Sequence, residues 1–236
     1  MENISQLLPR DKEYPIKCNA YMDYIDDHRA RVKTAYCKYF KDKLPSLLEG
    51  IIDNFDKCEE IDRILNEKID KHDMSKYSDM EFDGYRIKFF PTSVESEIIN
   101  HNSTAADIVK EEFQEAWIHH QQVNSHHPHF YLWNVWDSED GRFILQKEML
   151  SEPSRDMRIT DILEMICDWA AMSKGDDDFN YISWIASKDS DTEVSMMTDM
   201  TKRIFLVITS KILPSSYETV RDILIERFGV EDKMEE

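Results

Sequence analysis

Histidine and aspartate side chains that could hold a metal ion are concentrated at a few places in this chain. Seven of the eight histidines are His28, His72 and a cluster between residues 119 and 129. Asp73 directly follows His72, and two adjacent ligand-type residues at a helix end can both reach one metal ion. A carboxylate can also bridge two ions, which an imidazole cannot. The residue types and their order therefore predict a metal site centred on the His72-Asp73 pair.

The histidine cluster lies in the segment AWIHHQQVNSHHPHFYLW. If the helix that enters this segment continues past His120, then His120, Asn124 and His127 lie on one face and His119 points elsewhere. A histidine-rich loop can also bind adventitious metal or simply solvate a turn. The cluster alone does not decide between these alternatives.

Asp168 is the third candidate element, because it is an acid within the apolar segment EMICDWAAMS. Glu164 lies one turn earlier on the same helical face. Burying an acid in such a segment costs free energy unless the acid is paired or binds a cation. One alternative is that Asp168 accepts a hydrogen bond from a tyrosine or tryptophan, but the histidines elsewhere favour a metal ligand. Lys76, three residues after Asp73, is close enough to face the same pocket and donate to an anionic substrate.

The elements that must position these residues are predicted to be helices, because apolar residues recur at spacings of three and four. Residues 124–141 are predicted to form a loop with short turns, and no period-two run predicts a strand. Helices are predicted at 17–40, after Pro45, and at 59–71, 105–123, 194–213 and 217–228, the last of which follows a capping box at 215–218. Another helix is predicted to begin at a capping box at 78–81 and to end before Pro91. A further helix is predicted to be capped by Thr160 and to run to residue 173.

The composition agrees with an all-α fold class. Of the 236 residues 41% are hydrophobic, and the 5 glycines are fewer than sandwiches and barrels usually need. We expect a single helical domain of about seven to nine helices over residues 1–229, with its motif core at residues 25–173. Residues 174–178 are predicted to be a solvated loop and residues 230–236 a flexible acidic tail.

The formal net charge of −19 repels the nucleic-acid backbone, so binding in a groove of double-stranded DNA is not expected. A small phosphorylated substrate is still allowed, because bound divalent cations reverse the local field around a site. The first fifteen residues lack an apolar signal core, and no uncharged apolar stretch approaches ~18 residues. These features predict a cytoplasmic protein without membrane contact, and they leave a homodimer open.

The order His28, His72-Asp73, histidine cluster, Asp168 resembles that of the HD superfamily of metal-dependent phosphohydrolases. The segment HDMSK is similar to the HDxGK of the HD-GYP branch, with serine in place of glycine. DWAAMS likewise looks like the D-x-x-A-M segment of that branch. The GYP sequence itself is absent, so the resemblance does not extend to cyclic di-GMP as substrate.

Three longer patterns resemble a family of uncharacterised bacterial and phage proteins over about residues 25–173. They are HDxSK…EF…Y…FF, FxxAWxxHxxxNxHHxxxxW and EMxxDWxAMS. No activity is carried over from that family.

The resemblance to the HD superfamily implies a site with two divalent transition metals, for which mixed nitrogen and oxygen ligation suits iron, manganese, cobalt or nickel. The implied ligands of the first ion are His28, His72, Asp73 and Asp168, with Asp73 bridging to a second ion that is held by His120, His126 and His127. Lys76 would contact a phosphate oxygen. Bridged ions lower the pKa of a shared water and neutralise phosphoryl charge. The implied activity is hydrolysis of a nucleotide, a cyclic nucleotide or another small phosphate ester.

Two other functions remain open at this stage. A di-iron oxygenase of the HD type would use the same ligands but would activate oxygen instead of water. A non-catalytic protein with a residual metal site would use its acidic surface to bind a protein partner.

Overall fold

The structure is a computed structural model that describes residues 8, 10–51, 55–173, 181–187 and 190–229. Within these ranges most residues belong to α-helices, which confirms the all-α class. None of the described helices has a stretch long and apolar enough to cross a membrane.

Twelve α-helices occur among the described residues, and eight of them have eight or more residues, in line with the predicted seven to nine. The other four are single turns of four to six residues. The helices are α1 (Tyr14–Tyr39), α2 (Leu44–Leu47), α3 (Phe55–Lys71), α4 (Phe82–Phe89), α5 (Ser93–His101), α6 (Ser103–Val123), α7 (Phe130–Trp133), α8 (Ile159–Met172), α9 (Ile182–Ala186), α10 (Ser190–Ser195), α11 (Asp199–Ile212) and α12 (Tyr217–Phe228). Short 3-10 helices follow α3 at Met74–Tyr77 and α11 at Pro214–Ser216.

A two-stranded antiparallel sheet lies where the sequence predicted a loop. Strand β1 (Asn134–Asp137) pairs with β2 (Arg142–Leu145). The prediction of a strand-free segment at 124–141 was wrong because four-residue strands contain too few alternations to register as a period of two. Gly141, with φ +64°, supplies the left-handed conformation that closes the turn.

Three of the predicted helix caps were wrong. The caps were predicted at Ser78, Thr160 and Ser215, but the N-cap residues are Glu81, Arg158 and Ser216, and none of their side chains accepts a capping hydrogen bond. The predicted helix 217–228 itself is confirmed. Sequence motifs of this kind are short and recur by chance, so packing of the apolar face decides where each of these helices begins.

A capping box does form at Thr92, where the sequence was interpreted as the end of a helix. Thr92 Oγ1 accepts from the Glu95 amide at 3.1 Å, and Glu95 Oε2 accepts from the Thr92 amide at 2.7 Å. This cap begins α5. Helix α5 was not predicted from the sequence, because Pro91 indicates the end of the preceding helix.

Two other predicted helices differ in extent. The stretch after Pro45 forms only the single turn α2 within the described residues. The predicted helix 194–213 is two helices, α10 and α11, because Thr198 accepts from the Thr201 amide at 3.2 Å and begins a new helix. The predicted loop 174–178 and tail 230–236 lie outside the described residues.

The chain folds into two compact units, each built from two segments of the sequence. The first unit contains residues 1–29 and 73–124, and the second contains residues 30–72 and 125–236. The chain therefore passes from one unit to the other within α1, between His72 and Asp73, and just after α6.

In the first unit, helices α4 and α6 pack closely at Gly84. A Cβ atom at this position would lie 2.7 Å from the Glu112 carbonyl oxygen and 2.9 Å from the Ala116 Cβ. Only glycine allows this approach of the two helices. The core beside it contains Tyr21, Ile25, Tyr85 and Ala116.

In the second unit, helix α8 runs through the interior. Twelve consecutive residues of α8, from Thr160 to Ala171, are buried, and they include three acids. Leu65 of α3 and Trp169 of α8 belong to the same core. Such burial of acids requires compensating donors or cations, so the fold itself marks this helix as part of a polar site.

Candidate metal centre

Asp73 is the centre of the polar cluster in the first unit, which we call the dyad cluster (His28, Asp73, Lys76, Glu81, His120). Its carboxylate is buried, and its backbone has the left-handed φ of 56°. His28 Nε2 lies 3.6 Å from Asp73 Oδ2, and His120 Nε2 lies 3.4 Å from Asp73 Oδ1. Two imidazoles thus approach different oxygens of one carboxylate, an arrangement compatible with a carboxylate that bridges two ions.

Glu81 orients the imidazole of His120. His120 Nδ1 lies 2.8 Å from Glu81 Oε2, and Glu81 is fully buried. Burial raises the pKa of Glu81, but the hydrogen bond and the charge of His120 outweigh this effect and keep the pKa below its ordinary value. An ionised carboxylate only accepts hydrogen bonds, so Nδ1 of His120 carries a proton, and Nε2, which faces Asp73, is the nitrogen left to bind a metal ion.

His119 shares the same glutamate. Its Nδ1 lies 2.7 Å from Glu81 Oε1, although the sequence analysis expected His119 to point away from the site. The side chain of His119 is 25% exposed and that of His120 only 1%. His120 is therefore the candidate ligand of the two, and the helix that carries it ends at Val123, before His127.

Lys76 forms an ion pair with Asp73, three residues earlier in the chain. Its ammonium donates to Asp73 Oδ2 at 2.6 Å and lies 5.5 Å from the centre of the Tyr85 ring. Burial raises the pKa of Tyr85, and the negative charges of Glu81 and Asp73 raise it further. A contact between Lys76 and a phosphate oxygen stays a prediction.

The second unit has its own polar cluster, which we call the Glu164 cluster (Lys68, His72, His126, Glu164, Asp168). His72 Nδ1 lies 3.0 Å and His126 Nδ1 3.3 Å from Glu164 Oε1, and the two rings are 4.4 Å apart between centroids. Donor atoms of His72, His126 and Glu164 lie within 4.8 Å of one another and are buried, so they could hold a metal ion. His72 Nε2 lies 3.6 Å from Asp168 Oδ1.

Glu164 is better suited to orient the histidines than to bind an ion. Its Oε1 faces two imidazole nitrogens, and its Oε2 accepts from the Lys68 ammonium at 2.9 Å. Ligating histidines usually donate their second nitrogen to a carboxylate of this kind, which fixes the tautomer and the ring orientation. Nε2 of His72 is then the nitrogen left to bind a metal ion, and it faces Asp168 Oδ1. A ligand role for His72 and Asp168 stays a prediction.

Charges around Glu164 keep it ionised inside the protein. Burial raises the pKa of Glu164, but the charge of His126 and hydrogen bonds from His126 and His72 hold it well below its ordinary value, as does the charge of Lys68. Burial lowers the pKa of Lys68, but Glu164 and Asp161 outweigh this and raise it. The cluster therefore contains an ion pair between the partly buried Lys68 and the buried Glu164 that persists at neutral pH.

A third buried glutamate contacts His127. Glu193 of α10 places Oε1 3.2 Å from His127 Nδ1 and 3.8 Å from His129 Nδ1. Burial raises the pKa of Glu193, but the charge and hydrogen bond of His127 lower it to about 2. The rings of His126 and His127 are 4.3 Å apart between centroids, so these two predicted ligands are neighbours in the second unit.

The predicted ligands thus fall into two groups, each described within its own unit: His28, Asp73 and His120 in the first, and His72, His126, His127 and Asp168 in the second. Their division between two ions stays a prediction. Glu81 and Glu193 were not predicted as orienting residues. The sequence around Glu81 indicates a capping box, and no pattern singles out Glu193.

The fold and these clusters define a helical protein with buried histidine–carboxylate groups that could hold a metal ion. The chain belongs to a family of unknown function, DUF5662, whose model matches residues 17–211. That range includes every candidate ligand and all three orienting glutamates. Neither the curated proteins nor the solved structures include a significant match to this chain.

Proposed function

We propose that this protein is a metal-dependent phosphohydrolase that acts on a nucleotide, a cyclic nucleotide or another small phosphate ester. The observation that carries the proposal is the buried carboxylate of Asp73, each of whose oxygens faces Nε2 of a different histidine. A carboxylate shared by two ions is characteristic of hydrolases that use a pair of metals.

The donor set fits divalent iron, manganese, cobalt or nickel, because it combines imidazole nitrogens with carboxylate oxygens and no thiolate. Such ions, when bound, would activate a water molecule and neutralise phosphoryl charge. His28, Asp73 and His120 would hold metal in the dyad cluster, and His72 and Asp168 in the Glu164 cluster. The bridging role of Asp73 and the cytoplasmic location stay predictions.

The net charge of −19 makes bound cations a requirement for this activity. An anionic substrate would be repelled by the surface and by the buried acids unless metal ions reversed the local field. The chain's own residues supply ligand atoms, hold the imidazoles in one tautomer through Glu81 and Glu164, and exclude water by burial.

The test compares the wild type with Asp73→Asn, which keeps the side-chain shape but removes the charge. Asp70→Asn is the matched control, because Asp70 is exposed and pairs with Lys33 at the surface. We expect element analysis to find transition metal in the wild type and the control. We also expect phosphate release from a nucleotide panel to fall at least 100-fold in Asp73→Asn.

Three other outcomes would contradict the dyad cluster, the hydrolase activity or metal binding itself. Full metal content and activity in Asp73→Asn would refute the role of the dyad cluster. Bound iron whose absorbance changes on mixing with oxygen and substrate, without phosphate release, would indicate the oxygenase. Absence of metal after supplementation would remove both enzymes and leave the non-catalytic, partner-binding protein.

A further inference from the structure

Two buried tyrosine hydroxyls in the first unit have no hydrogen-bond partner among the described residues. Tyr21 is 1% exposed and Tyr85 is 6% exposed, and the hydroxyl oxygens of both are inaccessible. Most buried polar groups in proteins are paired, and leaving one unpaired lowers stability. Two such hydroxyls in residues of one core therefore point to a ligand that would accept from them.

Both tyrosines lie beside the dyad cluster. Tyr21 precedes His28 by seven residues on α1, so the two side chains lie on one face of that helix. Tyr85 follows Glu81 by four residues, and its ring is 5.9 Å from the His120 ring between centroids. Tyr21 and Tyr85 also belong to the same buried core.

The charges near these hydroxyls show what kind of ligand they would meet. Asp73 and Glu81 act electrostatically on both phenols, yet neither carboxylate accepts a hydrogen bond from either of them. The ammonium of Lys76 lies over the Tyr85 ring. Two O–H donors and an ammonium thus occur beside candidate metal ligands, and an anion with several oxygen acceptors would suit all of them.

We propose that the hydroxyls of Tyr21 and Tyr85 donate hydrogen bonds to the phosphoryl oxygens of the substrate. This inference rests on the proposed function, because metal bound at Asp73 must offset the negative charge of the dyad cluster before an anion can enter. The phosphoryl group accepts more than one hydrogen bond, so it can satisfy both donors at once. The two tyrosines would then act on substrate binding and not on metal binding.

Replacement by phenylalanine separates binding from packing. The Tyr21 ring packs against Phe82 and Phe90 at centroid distances of 5.1 and 5.7 Å, and the Tyr85 ring packs against Phe113 at 5.4 Å. Phenylalanine retains these ring contacts, and removing an unpaired hydroxyl breaks no hydrogen bond among the described residues. Thermal stability should therefore be unchanged or higher in each variant.

The experiment titrates inorganic phosphate into metal-loaded wild type, Tyr21→Phe, Tyr85→Phe and the double variant, with calorimetric detection. Tyr24→Phe is the control, because Tyr24 lies on the same helix with 38% of its surface exposed. We expect phosphate affinity to fall about tenfold or more in each single variant, as for loss of a hydrogen bond to a charged group. Metal content should stay equal in all five proteins, and the control should bind phosphate as the wild type does.

The outcomes distinguish this inference from the proposed function. Equal phosphate affinity in wild type and phenylalanine variants would overturn the inference while leaving the metal site in place. Metal-loaded wild type that does not bind phosphate would overturn it as well. Parallel losses of stability, metal content and phosphate affinity would make both tyrosines structural. Wild type without metal would remove the proposed function and this inference together.

Discussion

Replacement of Lys68 by methionine tests how the Glu164 cluster is stabilised. The ammonium of Lys68 contacts Asp161 Oδ1 at 2.8 Å, Glu164 Oε2 at 2.9 Å and Ser125 Oγ at 2.9 Å. Both carboxylates are buried, whereas the lysine side chain is 22% exposed. Methionine retains most of the apolar length of lysine but leaves two buried acids without their cation.

The expected loss in the free energy of unfolding depends on the hydrogen bonds that Asp161 and Glu164 retain in the variant. Breaking a buried ion pair by removing one partner destabilises proteins by about 3–5 kcal/mol. Asp161 would keep hydrogen bonds from Ser125 and Tyr131, and Glu164 would keep its contact with His72. The loss should therefore be at the lower end of this range, about 3 kcal/mol. For a chain of this size that corresponds to a fall in Tm of about 6–12 °C.

The assay is thermal unfolding with a chelator present, because a bound cation would replace part of the lost positive charge. Lys33→Met is the matched control, since Lys33 pairs with Asp70 at 2.7 Å but both side chains are well exposed. We expect that control to lose at most about 1 kcal/mol. If the two variants melt at the same temperature, the buried ion pair does not stabilise the cluster and the reasoning is refuted.

Two further predictions concern the first unit. Gly84→Ala should lower the free energy of unfolding by about 1–3 kcal/mol, because the added Cβ would lie 2.7 Å from the Glu112 carbonyl oxygen; an unchanged urea midpoint would contradict this. Glu81→Gln should weaken metal binding about 10- to 100-fold, because glutamine no longer forces the Nδ1 proton onto His120. Metal titration measures this loss, and equal affinity would show that Glu81 does not orient the ligand.

The long helices could be predicted from the sequence because each buries a continuous apolar face. Helices α1, α3, α6 and α8 have 14 to 26 residues, which is enough turns for the spacing of three and four to stand out. The hairpin β1–β2 and helix α5 are too short for such a signal. Their existence depends on tertiary contacts and on the capping box at Thr92. That capping box was not predicted, because Pro91 directly before it indicates the end of a helix.

Candidate metal ligands could be proposed from residue chemistry, whereas the glutamates that contact them could not. Histidines are few, so their positions are informative. Glutamate and aspartate together number 48, and most of them are ordinary surface residues. Glu164 stood out because its neighbours in sequence are apolar. Glu81 and Glu193 are buried equally well, but no local pattern distinguishes them, since the histidines that they contact are distant in the sequence.

A glutamate–histidine–aspartate triad occurs among the described residues of each unit. In the first, Glu81 holds Nδ1 of His120 at 2.8 Å, and Nε2 faces Asp73 at 3.4 Å. In the second, Glu164 holds Nδ1 of His72 at 3.0 Å, and Nε2 faces Asp168 at 3.6 Å. The His72-Asp73 pair thus supplies the histidine of one triad and the carboxylate of the other. The proposed metal site therefore uses both residues of this pair, because neither residue can replace the other in its own triad.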